Sequence, residues 1–214
     1  MYTEEHVDPA TSTHTSVTTR LTYDQQDRII LTENDKALPE KYVYSYPDEH
    51  SFTTIYYQGG SIMHSRFGWV NANKKLDSLA IILNSNITTA MFRFTYNGAM
   101  QLTNLRQYNS PGDQEYVAGF TNYAYDAIGN MIQTSDDFSS QIYTHDLTKQ
   151  NVLGEKWPFT VYHSPNLVNT LESHYSNMTA TYDVEYTYDQ QGRITSEKTK
   201  NRNSDEYFLT TYIY

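Results

Sequence analysis

The sequence predicts an all-β protein: a many-stranded antiparallel meander of hairpins curled into a barrel or partial barrel. Two observations carry this. Tyrosine alternates with polar residues at a period of two, as in "TYDVEYTYD", where Tyr182, Val184, Tyr186 and Tyr188 share one face and Asp183, Glu185 and Thr187 the other; that period marks a strand with one covered face. The phrase "TYDQQ" also occurs twice, at Thr22–Gln26 and Thr187–Gln191, each time at the end of such a run. Asp at the first position of a turn and Gly at the fourth suit a type I turn closed by a left-handed residue, the three-residue hairpin loop with a bulge.

Taken in order, the chain opens with a polar Thr- and Ser-rich stretch, "MYTEEHVDPATSTHT", expected to be a flexible segment over residues 1–15. A single β-meander domain is expected over 16–214. Fourteen strands are predicted, near 16–23, 28–33, 41–46, 51–57, 61–66, 77–83, 90–96, 100–107, 116–125, 130–135, 140–145, 179–188, 193–200 and 206–213. Asp24 starts the first turn, with Asp27 standing where Gly192 stands in the last; Asp is among the few residues other than Gly that tolerate positive φ. Pro47-Asp48 and Gly59-Gly60 mark the next turns, and Asn97-Gly98 reads as a two-residue turn. Asp126 and Gly129 repeat the first grammar, as do Asp189 and Gly192. Between 156 and 177 the alternation breaks. Ser164 as N-cap, Pro165 at the first helical position, and Leu167, Val168 and Leu171 at helical spacing predict one short helix at 165–173 within a long connection.

Composition narrows the function classes. The 214 residues carry 15 Lys and Arg against 25 Asp and Glu, a formal charge of −10. Nucleic acid and anionic membrane surfaces are therefore poor partners, since both need clustered cations. With no cysteine, disulfides, thiolate nucleophiles and zinc–thiolate sites are excluded. The longest apolar run, "LAIIL" at 79–83, is strand-length, so no transmembrane helix is expected.

The hairpins "TYDQQGRITSEK", "AYDAIGNMIQT" and "TYDQQDRIILTE" resemble the YD repeats of Rhs-type proteins. With the "WPF" connection and the closing "YFLTTYIY", the chain over residues 20–214 resembles DUF4595, a family of secreted or lipid-anchored proteins of gut bacteria described as having a porin-like fold. The resemblance implies a curled antiparallel sheet outside the cytoplasm, in the periplasm or at the cell surface. Members of that family are often tethered through an N-terminal lipidated Cys, and the resemblance implies no known activity.

Site chemistry is sparse at the level of sequence. The seven His have no metal-binding spacing, so neither a metal site nor a cofactor is expected. The adjacent acids Asp136-Asp137 and Asp205-Glu206 sit in expected turns, where solvation explains them better than catalysis; no catalytic residue is assigned. Exposed aromatics remain: Trp69, and Trp157, Phe159 and Tyr162 of the long connection, are candidate ligand-binding residues, with burial inside the curled sheet as the alternative. The expected protein is a monomeric, non-catalytic extracytoplasmic protein that binds an unidentified ligand or envelope partner, or serves as a scaffold. The alternatives are an outer-membrane β-barrel, for which Phe208, Tyr212 and Tyr214 offer aromatics on one face of the last strand, and a hydrolase with a composite acidic site.

Overall fold

In the computed structural model, which describes residues 1–8, 10–83, 88–109, 117–151 and 164–214, sixteen antiparallel strands close into a barrel. They are β1 (Tyr2–Asp8), β2 (Thr13–Tyr23), β3 (Ile29–Asn34), β4 (Glu40–Ser45), β5 (Ser51–Gln58), β6 (Ser61–Val70), β7 (Leu76–Leu83) and β8 (Thr88–Tyr96). The second half adds β9 (Leu102–Tyr108), β10 (Val117–Tyr125), β11 (Met131–Ser135), β12 (Ser139–Gln150), β13 (Asn166–Tyr175), β14 (Met178–Tyr188), β15 (Ile194–Asn201) and β16 (Tyr207–Tyr212). Each strand pairs with its sequence neighbours, and β1 closes the ring against β16, Tyr2 opposite Tyr212 and His6 opposite Phe208.

Two sequence expectations are corrected. Residues Tyr2–Asp8, expected in a flexible arm, form β1, hydrogen-bonded to both β2 and β16. Without β1 the sheet would expose two unpaired edges; closure removes them. Of residues 165–173, expected as a helix, 166–173 lie in β13, paired along β12 and β14. A helix there would leave the facing backbones of two strands unpaired, a cost that outweighs a local capping signal. Ser164, read as an N-cap, instead accepts the Met131 N–H through its Oγ at 2.9 Å. These two strands bring the fourteen expected to sixteen.

Among the described residues one hairpin design repeats five times along the barrel. At Asp24, Asn71, Asn97, Asp126 and Asp189 the side-chain Oδ1 accepts backbone N–H groups from the residues two and four positions on, at 2.8–3.1 Å. The fourth residue of each turn has positive φ: Asp27, Lys74, Met100, Gly129 and Gly192. The Asn97 hairpin therefore turns at Met100 and not across Asn97-Gly98. The register is the same each time: Tyr23 faces Ile29, Val70 faces Leu76, Tyr96 faces Leu102, Tyr125 faces Met131 and Tyr188 faces Ile194, each followed by a bulge. Such bulges bend a strand and tighten its twist, which helps a sheet curl.

Each of these turns delivers one apolar residue to the same place. Ile29, Leu76, Leu102, Met131 and Ile194, with Phe52 and Leu167 at the start of β5 and β13, are buried and ring one end of the barrel. Tyrosine hydroxyls brace the ring: Tyr46 donates to the Ile29 carbonyl, Tyr96 to Leu76, Tyr125 to Leu102 and Tyr214 to Ile194, at 2.6–2.9 Å. A ring of large buried side chains at one end of a closed sheet lies on its concave side, and the tyrosines share that face by register, so the tyrosine face is the lumen. Phe52 lies over Gly68 of the neighbouring strand, in a space that a side chain at 68 would fill.

Sixteen strands make a wide barrel; sheets of about this number leave an aqueous interior. The accessible surface, 13197 Å², exceeds the roughly 10,000 Å² of a filled body of this mass. The barrel is hollow beyond its apolar ring.

Candidate functional site

The lumen is the concave face of the sheet, and its chemistry follows from strand parity. Tyr42, Tyr44 and Tyr46 of the β4 run, Tyr56, Tyr123, Tyr125, Tyr182, Tyr186 and Tyr212 point inward with Phe92, Phe94 and Phe208, as cross-strand pairing with buried residues requires. Burial pushes the Tyr46 phenol up to about 12 and raises those of Tyr44, Tyr96, Tyr186 and Tyr212. All stay protonated near neutral pH and act as neutral donors and acceptors. Hollows of about 240 Å³ beside Thr121, Tyr123, Gln141 and Tyr143 and about 320 Å³ beside Glu4, His6, Val17 and Phe208 open along this wall.

Two clusters stand out on it. Along β4–β6, Tyr42 stacks on Tyr56 at 4.7 Å, and His64 tilts against Tyr56 at 4.9 Å. Arg66 sits over Tyr42 at 5.4 Å and donates from Nε to His64 Nε2 at 3.1 Å, so that nitrogen carries no proton. Burial first, then the Arg66 charge, pushes the His64 pKa down, in agreement with a neutral ring. The second cluster spans β14–β16 and β1. Glu197 and Glu4 flank Thr210 on one cross-strand row, with Tyr186 beside Glu197. Burial pushes the Glu197 carboxyl up. Two strand spacings, about 9.6 Å, separate the two acids' positions, at the outer limit for an acid–base pair acting on a glycosidic bond. Among the described residues, no group of three or more His, Asp and Glu is placed to hold a metal ion.

The structure places the candidate residues from the sequence as follows. Trp69 is on the outer wall of β6, 44% exposed, opposite Ser51 and Ser78 and on the same face as Phe67. Trp157, Phe159 and Tyr162 lie outside the described residues. Asp24, Asp126 and Asp189 build turns. The Arg28 amide, opposed by partial burial and helped by the Arg28 guanidinium, holds the Asp24 carboxyl below its ordinary range. At Asp126 and Asp189 partial burial works against the charge, and donors from Asn130 and Arg193 outweigh it. Gly129 and Gly192 supply the positive φ of their turns. Asp136 accepts the Phe138 and Ser139 amides, again as a turn residue. Phe208, Tyr212 and Tyr214 face the lumen and not the exterior. Sequence reading missed Arg66, His64, Glu4 and Glu197 as lumenal. The bulge between Tyr56 and Tyr57 sets the parity of β6, and nothing local in "SIMHSRFG" shows it.

The outer wall has a different character. Glu5, Arg93, Arg106, Asp183, Glu185, Lys198 and Lys200 face outward by register, and Arg202 clasps Asp183 there at 2.6 Å.

Fold and lumen together define a closed, hollow, porin-like β-barrel. No protein-family model matches the chain, and no curated protein matches it. Among solved structures it is similar to a porin-like protein from Bacteroides uniformis, with TM-score 0.69, 14% identity, and 99% of this chain and 96% of that one covered. A porin-like protein from Bacteroides vulgatus matches with TM-score 0.48, 10% identity and 99% and 97% coverage. The Photorhabdus luminescens Tc holotoxin pore matches with TM-score 0.32 and 12% identity, over 94% of this chain and 13% of that one. The first shows the shared fold.

Proposed function

We infer that this chain is a non-catalytic protein of the bacterial cell envelope, outside the cytoplasm, whose hollow barrel receives a small ligand. The observation that carries this is the tyrosine-rich concave wall, set with a few charged groups (Arg66, Glu4 and Glu197), inside a closed barrel whose outer wall carries Arg, Lys, Asp and Glu beside Phe67 and Trp69. Phenol-rich concave walls offer ring area and hydrogen bonds together, the usual composition of a ligand cavity. The porin-like architecture and the YD hairpins are also what a DUF4595-like envelope protein would have.

A second reading, an outer-membrane barrel, draws on the even number of strands and the β1–β16 closure. The outward charges weigh against it, since Arg or Lys at mid-bilayer costs about 2–4 kcal/mol each. Size-exclusion chromatography without detergent separates the two. A monodisperse monomer with a cooperative melt supports the water-soluble barrel; aggregation relieved only by detergent overturns it. A thermal-shift screen of that monomer against small molecules then tests ligand binding, because a ligand of the folded state raises Tm.

A further inference from the structure

Two chemically different lumenal strips meet at Arg66, and what they would jointly hold follows from their pairing; the inference rests on reading the lumen as a ligand cavity. One cross-strand row runs Tyr44, Thr54, Arg66, Ile81, Ala90. The rows on either side run Tyr42, Tyr56, His64, Leu83 and Phe52, Gly68, Leu79, Phe92. Toward β4 and β5 the wall is therefore mostly hydroxyl-bearing; toward β7 and β8 it is apolar, with Leu83 46% exposed into the opening.

Arg66 is half-buried at the seam, and no described carboxylate lies within ion-pair distance of it, although the chain carries 25 acids against 15 Lys and Arg. Glu40, whose charge reaches Tyr56 on the same wall, is engaged by Lys36 with both oxygens at 3.0 Å and by Asn34. The guanidinium is already aimed: His64 holds its Nε and the Tyr42 ring backs its plane, which leaves the Nη groups as donors. A fixed guanidinium fork matches a carboxylate in two parallel hydrogen bonds. We propose that Arg66 anchors the carboxylate of an apolar acid, of the fatty-acid class, whose hydrocarbon body lies along Leu79, Ile81, Leu83 and Phe92.

Isothermal titration of the detergent-free protein with laurate below its micellar concentration tests this, with dodecanol and dodecyltrimethylammonium as comparators. Laurate is expected to bind at least tenfold more tightly than either. Arg66→Gln is expected to weaken laurate about ten- to a hundredfold, the range of a lost charge-assisted pair, and to leave dodecanol unchanged; Arg66→Lys keeps part of the affinity. Should Arg66→Gln fail to melt cooperatively, Leu83→Glu, which adds a carboxylate at an exposed lumenal position, is expected to weaken laurate in its place. No laurate binding, or laurate binding untouched by these substitutions, overturns the proposal. Equal affinity for laurate and dodecanol also overturns the anion site, while the ligand-binding lumen stands.

Discussion

Replacing Gly68 with alanine probes the apolar ring at its tightest point. A Cβ at 68 would lie 2.0 Å and 2.1 Å from two atoms of the Phe52 ring, far inside contact distance. Phe52 is 4% exposed, so its ring has no free space to swing into without leaving the core. Overpacking of this kind costs about 1–3 kcal/mol, and full expulsion of the ring forfeits a similar burial energy of about 1.5–3 kcal/mol. For a chain of this length about 2 kcal/mol corresponds to a fall in Tm of roughly 4–8 °C. Gly119 supplies the control: it lies in β10 with nothing within 4 Å of its Cβ position, at no positive φ. Gly119→Ala should stabilise by about 0.5–1 kcal/mol through lost chain entropy. Thermal or urea denaturation reads both. In the Phe52→Ala background the clash is gone, so Gly68→Ala should cost little, a coupling of about 1–2 kcal/mol between adjacent positions. A Gly68→Ala variant as stable as Gly119→Ala, or strict additivity with Phe52→Ala, would refute the packing described.

Three further outcomes are expected. Asp27→Gly should stabilise by about 0.5–1 kcal/mol and Gly192→Ala destabilise by about 1–2 kcal/mol, because both positions have positive φ, 57° and 77°, where a Cβ is penalised; urea midpoints decide, and like signs would contradict the turn geometry. Glu197 has a folded pKa raised by burial, so the folded state favours its protonated form, and stability falls as pH rises from the unfolded value, about 4.3, through the folded one. Glu197→Gln should therefore raise Tm at pH 7 and have little effect at pH 4, while a uniform effect at both would show that ionisation is not the cause. Amide hydrogen exchange should protect residues Tyr2–Asp8 as well as β2 and β16, since all three share one ladder; rapid exchange confined to 2–8 would mean that the barrel does not stay closed.

How much of this could be read from the chain depends on the range of the force involved. Period-two tyrosines placed Tyr182, Tyr186, Tyr42, Phe92 and Phe94 on covered faces, and the Asp-x-x-Gly grammar located two of the five repeated turns with their glycines. Both signals are local: side-chain parity and backbone sterics act within a few residues. The Asn71 turn was missed because Lys74 occupies the strained position, where no Gly marks it. The reading of Ser164-Pro165 as a helix start failed because a local cap competes with two ladders of sheet hydrogen bonds, and the ladders come from residues 139–150 and 178–188.

The sequence by itself determined an all-β hairpin chain with one tyrosine face, an acidic balance and no thiol chemistry, because composition and alternation need no partner strand. Tertiary structure alone decided that the polar N-terminal stretch is the closing strand, that Trp69 lies on the outer wall, and that Arg66 lies beside Tyr42 and Glu197 beside Tyr186. Those juxtapositions depend on cross-strand register, which bulges shift one residue at a time and which no single strand encodes.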